Sequence, residues 1–324
     1  MNRIDRRKFL TGAALVGSTA ALPSLSSRAA APPIGKPGPA FYRFRIGEFE
    51  LTALYDGIWE RPLDEKFVRN APFVDVQKAL ADKFLPTDKL PLPFTAMLVN
   101  TGAKLVLIDA GTGGQMSPLA GSLVDNLRAA GIEPTQIDAV AISHFHPDHI
   151  NGIRDKDGAL VFPNAEIHVP DPEWRYWMED NSATSVPDFA RGVFLNANRV
   201  FIGLAASVRR FNPGAEIVPG VTSIAAYGHT PGHVVYAIAS GSQSLLVLCD
   251  TTNHPWLFVR NPEWQPIFDM DGPMSVEFRK RMLDRAAADR MLVQGYHFPF
   301  PATGRIARRG AGFEFVPVQW QPAL

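Results

Sequence analysis

The densest run of metal-ligand side chains in this sequence is Ser143-His144-Phe145-His146-Pro147-Asp148-His149, with three histidines and one aspartate inside six residues. Imidazole nitrogens and carboxylate oxygens at this spacing suit divalent cations. In an extended turn His144 and His146 project to the same side and can converge on one ion. As the chain then bends into a helix, Asp148 and His149 can face a second ion. Further ligand types follow other apolar runs: His229 after residues 221–227, Asp250 after 245–248 and His297 after 291–294. A strand that ends in such a residue delivers it to the rim of a sheet, so strands folded side by side would gather these groups into one cleft. Two cations about 3.5–4 Å apart share a water whose pKa they lower toward about 7, and they polarise the bond under attack. That is hydrolytic chemistry without a serine or cysteine nucleophile. Asp148 has a second use open to it, taking a proton from the attacking water or passing one to the leaving group. Ligand type fits Zn²⁺ and leaves Mn²⁺, Fe²⁺ and Co²⁺ open.

Other residues near these positions have two readings. His233, four residues after His229, is expected to support the ligands rather than join them, and His168, in a strand-like run, to be packed. Asp109 closes a strand and can orient a ligand histidine by hydrogen bonding to it. His254, four residues past Asp250, either lines the substrate cleft or sits on a surface loop. Trp256 and Phe298 lie close in sequence to ligand types and are the aromatic candidates for pocket walls, with a place in the core as the alternative. Cys249 is the only cysteine, which excludes an intramolecular disulfide and any cysteine-rich zinc site. Its neighbour Asp250 should point the other way, leaving Cys249 a buried, inert thiol.

The elements that must position these residues read as two similar halves. Strand-like runs cover residues 41–46, 49–55, 94–100 and 104–109, a helical stretch covers 118–130, an apolar run covers 137–142, and a longer helix lies within 186–206. Strands at 221–227, 234–239 and 244–248, a helix at 274–290 and strands at 291–294 and 313–318 follow. Strands, helix, strands, helix is the order expected of an α/β domain in which two mixed sheets pack face to face with helices outside.

Of 324 residues, 46% are hydrophobic and 20% charged, an ordinary globular composition. Lysines plus arginines equal aspartates plus glutamates at 32 each, but residues 1–31 hold five basic residues against one acidic, leaving the remainder mildly acidic. No basic patch marks a nucleic-acid partner, and no run of like charge marks a membrane surface. Residues 1–31 have a basic start, a weakly apolar stretch and a small-residue end at Ala29-Ala30-Ala31, the layout of a cleaved export signal. Arg6-Arg7-Lys8-Phe9-Leu10 resembles a twin-arginine signal, which implies the twin-arginine export machinery as partner and a periplasmic or secreted product without stable membrane association. Residues 32–40 read as a Pro/Gly-rich leader and 41–324 as one domain. A homodimer is compatible with the sequence, which carries no signal of oligomeric state.

The pattern His-x-His-x-Asp-His with a later His, Asp and His resembles the metallo-β-lactamase superfamily, and all seven positions are filled. The resemblance implies an αβ/βα sandwich with two metals: His144, His146 and His229 on one, Asp148, His149 and His297 on the other, and Asp250 bridging them. Residues 42–57 (YRFRIGEFELTALYDG), 98–111 (LVNTGAKLVLIDAG), 143–152 (SHFHPDHING), 228–233 (GHTPGH) and 310–318 (GAGFEFVPV) resemble methyl parathion hydrolase and its exported relatives. This implies a hydroxide shared by the metals attacking an ester-like bond in a small molecule, with an organophosphate triester as the first substrate class. A lactonase or aryl esterase uses the same metals. The family's acyl-homoserine-lactone enzymes carry a tyrosine three residues after the bridging aspartate, where this chain has Asn253, which makes Asn253 a pocket residue and argues for other lactones. A bridging Asp250 argues against a β-lactamase, and the complete ligand set argues against a non-catalytic metal-binding protein.

Overall fold

In a computed structural model the described residues are 34–35, 37–179 and 188–321. The export signal expected at residues 1–31 lies outside them, as do parts of the leader and the start of the helix expected within 186–206. The first sheet has seven strands in sequence order: β1 (Phe41–Ile46), β2 (Phe49–Pro62), β3 (Lys89–Asn100), β4 (Leu105–Ile108), β5 (Ala139–Ala141), β6 (Glu166–Pro170) and β7 (Val208–Phe211). Pairing is antiparallel from β1 to β4 and parallel from β4 to β7. The second sheet has β8 (Glu216–Val218), β9 (Val221–Ala225), β10 (Val234–Ser240), β11 (Gln243–Cys249), β12 (Leu292–Gly295), β13 (Thr303–Arg309) and β14 (Gly312–Pro317), also adjacent in order. Its one parallel pair is β11 with β12. The six α-helices among the described residues are α1 (Phe73–Ala81), α2 (Leu123–Ala129), α3 (Pro147–Ile150), α4 (Asp171–Trp174), α5 (Asp188–Phe201) and α6 (Gly272–Ala288).

Alternation along the strands builds the layers. On β3, Met97 and Val99 join Leu51, Ala53, Tyr236, Leu245 and Val247 in a core between the sheets. Ala96 and Leu98 turn to the opposite face, where they pack with Leu127 of α2 and Phe194, Ala197 and Phe201 of α5. Because both faces are covered, β3 reads as a continuous apolar run instead of an alternating one. On the outer face of the second sheet, Met282, Leu283 and Ala286 of α6 pack on Val235, Leu246 and Val293. Two mixed sheets face to face with helices outside is the architecture expected from the order of elements.

Two differences from the sequence reading bear on the site. β2 and β3 run on past the sheet as a two-stranded arm, in which residues 57–62 pair with 89–94. Pro91 and Pro93 mask this extension in the sequence, since proline removes a ladder hydrogen bond. They are accommodated because β4 pairs only with Met97 to Asn100 and, among the described residues, no third strand flanks the arm there. Helix α1, absent from the sequence reading, places Val76 and Leu80 in a small core with Leu90, Leu92 and Phe258 that supports the arm.

The sheets are also tied by polar contacts. Tyr236 Oη on β10 donates to Ile142 O at 2.7 Å, Gln294 Nε2 on β12 donates to Thr95 O at 2.8 Å, and Thr95 N donates to Tyr296 O at 2.9 Å. Each bond lies beside the strand ends that carry the ligand types.

Candidate metal centre and substrate cavity

Parallel strands bring their carboxyl ends to the same edge, where open α/β folds place their sites. Within the first sheet β4 leads into Asp109, β5 into residues 143–149, and β6 into Glu173. In the second, β11 leads into Asp250 and β12 runs into His297. His146 is extended (φ −64°, ψ 150°) before Pro147, the first residue of α3. Proline disfavours a helical residue before it and is preorganised for the first helical position. The chain therefore switches from period two, which aligns His144 with His146, to a helical turn that presents Asp148 and His149. At the end of β11 the backbone turns left-handed at Cys249 (φ 45°) where the ladder shifts register, leaving the thiol in the core between the sheets and Asp250 on the rim.

These elements bring seven side chains into two groups that share Asp250 and could hold metal ions: His144, His146, His229 and Asp250, and Asp148, His149, Asp250 and His297. Within each group the ligand atoms lie within 4.8 Å of one another. His146 Nδ1 is 3.0 Å from Nε2 of both His144 and His229. His297 Nε2 is 3.1 Å from Asp250 Oδ2 and 3.4 Å from Asp148 Oδ2.

The outward-facing nitrogens explain how the inward ones are kept free. His149 Nδ1 donates to Asp109 Oδ2 at 2.8 Å, His229 Nδ1 to Asp269 Oδ1 at 2.9 Å, and His297 Nδ1 to Pro93 O at 2.9 Å. A carboxylate or carbonyl can only accept, so Nδ1 carries a hydrogen and the ring, when neutral, turns its Nε2 lone pair inward. Ser143 Oγ donates to Asp109 Oδ2 and is therefore an acceptor for His144 Nδ1, 3.0 Å away. His149 Nε2 and Asp250 Oδ1 are buried without a hydrogen-bond partner although only 3.2 Å apart. Converging ring nitrogens and an orphaned carboxylate oxygen are unfavourable alone and suit cations. The residues present fit two divalent metals.

Without a cation the imidazoles divide into two sets, and in the set whose neighbouring acids favour the protonated ring a bound ion would replace the Nε2 proton. Burial pushes His144 well below the ordinary imidazole value and His146 to about 3, reinforced by neighbouring imidazoles. Burial also depresses His149, His229 and His297, but Asp148 and Asp250 with Asp109 for the first, Asp250 and Asp269 for the second, and Asp250 and Asp148 for the third outweigh it, raising His229 to about 9. Asp148 and Asp250 resist the upward pull of burial because of the imidazoles around them and stay ionised.

Behind this shell lies support that nothing in the sequence announced. Asp269 also accepts from Arg279 Nη2 at 2.8 Å, and this wholly buried guanidinium donates through Nε to Thr251 O and through Nη1 to Trp264 O. Helix α6 is thereby tied to both His229 and the residue after Asp250. Glu173, also wholly buried, accepts from Phe145 N at 3.1 Å, Gly232 N at 3.0 Å, Thr230 Oγ1 at 2.5 Å and Trp177 Nε1 at 3.2 Å. It joins the turn holding His144 and His146 to the loop holding His229. A Cβ on Gly232 would lie 2.2 Å from Glu173 N, so this close approach requires glycine. His233 accepts from Asp250 N at 3.1 Å and belongs to neither ligand group, as its reading anticipated.

A cavity of about 400 Å³ opens onto both groups. His146, Asp148, Asp250, His297 and Asn253 form its polar side, and Trp59, Leu92, Phe94, Met116, Val193, Ile267 and Phe268 its apolar walls. Asn253 Nδ2 donates to Asp250 Oδ2 at 2.8 Å. Three expected wall residues are elsewhere. Phe298 is fully buried in the core beneath α6, edge-on to Phe315, because the turn after His297 swings it to the other side of the sheet. Trp256 faces a separate groove of about 580 Å³, with Lys83 Nζ 5.0 Å over its ring, because the helical turn at Pro255–Val259 carries it away from the rim. His254 is buried outside the cavity, and its carbonyl caps that turn by accepting from Phe258 N. The arm supplies Trp59 and Leu92 instead, residues whose role depends on a strand extension the sequence concealed.

The model of the Metallo-beta-lactamase superfamily matches residues 91–284. The chain is 27% identical to AidC, a dizinc quorum-quenching lactonase solved in complex with a product, covering 87% of this chain and 98% of that one with a TM-score of 0.81. It is 26% identical to the hydrolase AbOPH of the beta lactamase superfamily, covering 88% and 100% with a TM-score of 0.83. A probable metallo-hydrolase of Mycobacterium tuberculosis is 26% identical over 184 residues, 49% of this chain and 56% of that protein, so the chain spans about half the length of the curated relatives it matches.

Proposed function

From its membership of the metallo-β-lactamase superfamily, to which this chain belongs, we propose a metal-dependent hydrolase that binds two divalent ions and opens lactones or cleaves aryl esters. The observation that carries this reading is the mostly apolar cavity of about 400 Å³ whose floor is the pair of clusters sharing Asp250. His144, His146 and His229 would hold one ion, Asp148, His149 and His297 the other, and Asp250 both. Bound there, Zn²⁺, or Mn²⁺, Fe²⁺ or Co²⁺, supplies an activated water and polarises the bond under attack. Asp148 faces the cavity and is the carboxylate placed to hold the proton of the attacking water and release it to the leaving group. Asn253 fixes the orientation of Asp250 through its amide. The aromatic and aliphatic walls take the body of the substrate and exclude water from the reacting bond.

Lactones come first because AidC, similar over nearly its whole length, is a lactonase. An organophosphate triester is the second reading, supported by the five segments that resemble methyl parathion hydrolase and by walls suited to an aryl leaving group. Export by the twin-arginine route to the periplasm or beyond, resting on Arg6 and Arg7, belongs to the same proposal.

The test compares kcat/KM for an aryl lactone and an aryl phosphotriester using metal-loaded protein, with Asp250→Asn as the control. A lactone preference above about tenfold, or about 1.4 kcal/mol of transition-state discrimination, is expected. The reverse preference would assign the phosphotriester reading. The Asp250→Asn protein should lose more than about a hundredfold in kcat/KM together with bound metal. Absence of turnover of either substrate by protein carrying two metals would overturn the proposal.

A further inference from the structure

The arm formed by β2 and β3 brings one cation into the apolar side of the cavity. Trp59 and Arg61, two residues apart on β2, both line it, as strand periodicity requires of residues sharing a face. The Arg61 guanidinium carbon lies 4.9 Å from the Phe67 ring centroid and 5.8 Å from that of Phe268, so the fork is held by stacking on aromatic faces. Nη1 donates to Pro62 O at 2.7 Å, the one hydrogen bond of this side chain among the described residues. The paired carboxylate, Asp64, is 4.0 Å away and 56% exposed, whereas the Arg61 side chain is 14% exposed. Burial accordingly depresses the guanidinium's pKa, and Asp64 only partly restores it. An arginine cannot give up its proton at any physiological pH. The cavity lining therefore includes a permanent, poorly neutralised charge whose remaining donors make no further hydrogen bond among the described residues.

We infer that Arg61 receives a carboxylate of the substrate, making the preferred substrates ester-like molecules with an apolar body and an anionic end. This rests on the hydrolase reading above and specifies its substrate class. The wall residues Trp59, Leu92 and Phe268 accommodate the body, the clusters face the ester, and the fork of Arg61 matches a carboxylate in two parallel hydrogen bonds. A neutral chain of equal length would leave the guanidinium without a partner once water is displaced.

The test uses metal-loaded full-length protein and two aryl esters of equal acyl length, para-nitrophenyl hexanoate and mono-para-nitrophenyl adipate, which end in a methyl and a carboxylate. The ratio of kcat/KM, adipate over hexanoate, should exceed about tenfold in the wild type and fall to about one in Arg61→Leu. Arg61→Lys, which keeps the charge but not the planar fork, should give an intermediate ratio and serves where the leucine variant does not fold. Calorimetric binding of hexanoate against hexanamide provides a readout independent of turnover, with the advantage of the carboxylate lost in Arg61→Leu. A wild-type ratio at or below one, or a carboxylate advantage that survives in Arg61→Leu because the metals provide it, overturns the inference. Turnover of both esters at a ratio unchanged by the variants removes the carboxylate site and leaves the hydrolase reading intact. If neither ester is cleaved but hexanoate still distinguishes wild type from Arg61→Leu, the carboxylate site stands and the hydrolase reading fails.

Discussion

A histidine ligates a cation well only if its other nitrogen is held, and this chain holds His229 with Asp269, which is itself clamped by Arg279. Neither residue stands out in the sequence, because a lone aspartate in an irregular segment and a lone arginine on a helix have no spacing to mark them. The seven clustered side chains were legible for the opposite reason, since four of them fall within six residues and the others close apolar runs. Proximity along the chain proved a poor guide to the cavity: Phe298, adjacent to His297, points into the core, while Trp59 lines the cavity from far upstream. Asp269→Asn keeps the volume but puts an amide between His229 and Arg279. Competition with a chromogenic chelator should show metal affinity reduced about 10–100-fold, the range found for partners that orient a ligating histidine.

At the scale of elements, the parallel pairs fix where ligands emerge and the loops between them are cross-braced by Glu173. Its carboxylate serves four donors from three segments, at Phe145, Trp177, and Thr230 with Gly232. Glu173→Ala leaves these donors unpaired in a site closed to solvent. Urea denaturation should report a loss of about 3 kcal/mol or more, since each abandoned buried donor costs about 1–3 kcal/mol. The strand pattern of the first sheet was readable up to the point where Pro91 and Pro93 disguised the arm. The helix expected at 118–130 shrinks to α2 because Gly121 N and Ser122 N are taken by Asp56 O and Leu123 N by Asp56 Oδ1, so the residues before Leu123 form a loop around a buried carboxylate.

On the scale of the whole molecule, the centre is a seam between the two sheets, with His144 and Asp148 coming from the first and Asp250 and His297 from the second. Ions bound there join the halves of the fold, so their removal should loosen the whole. Extended dialysis against a chelator should lower the melting temperature, and Zn²⁺ should restore it, with a stabilisation of about 2.7 kcal/mol for one site at a free-ion concentration a hundred times its Kd. An unchanged melting curve in protein shown to have lost its metal would mean that the two sheets are held together without the ions. The sequence by itself determined the ligand types, their placement at strand ends, the two-halved α/β architecture and the absence of a cysteine nucleophile suited to the cleft. These are written in local spacing and period, which survive without a fold. The sequence also named Asp109 as a partner for a ligand histidine, but only the tertiary structure decided that it holds His149, that Asp269 and Pro93 hold His229 and His297, which walls the cavity has, and that Arg61 reaches it. Those depend on residues far apart in the chain being packed against one another, and no local pattern records such a meeting.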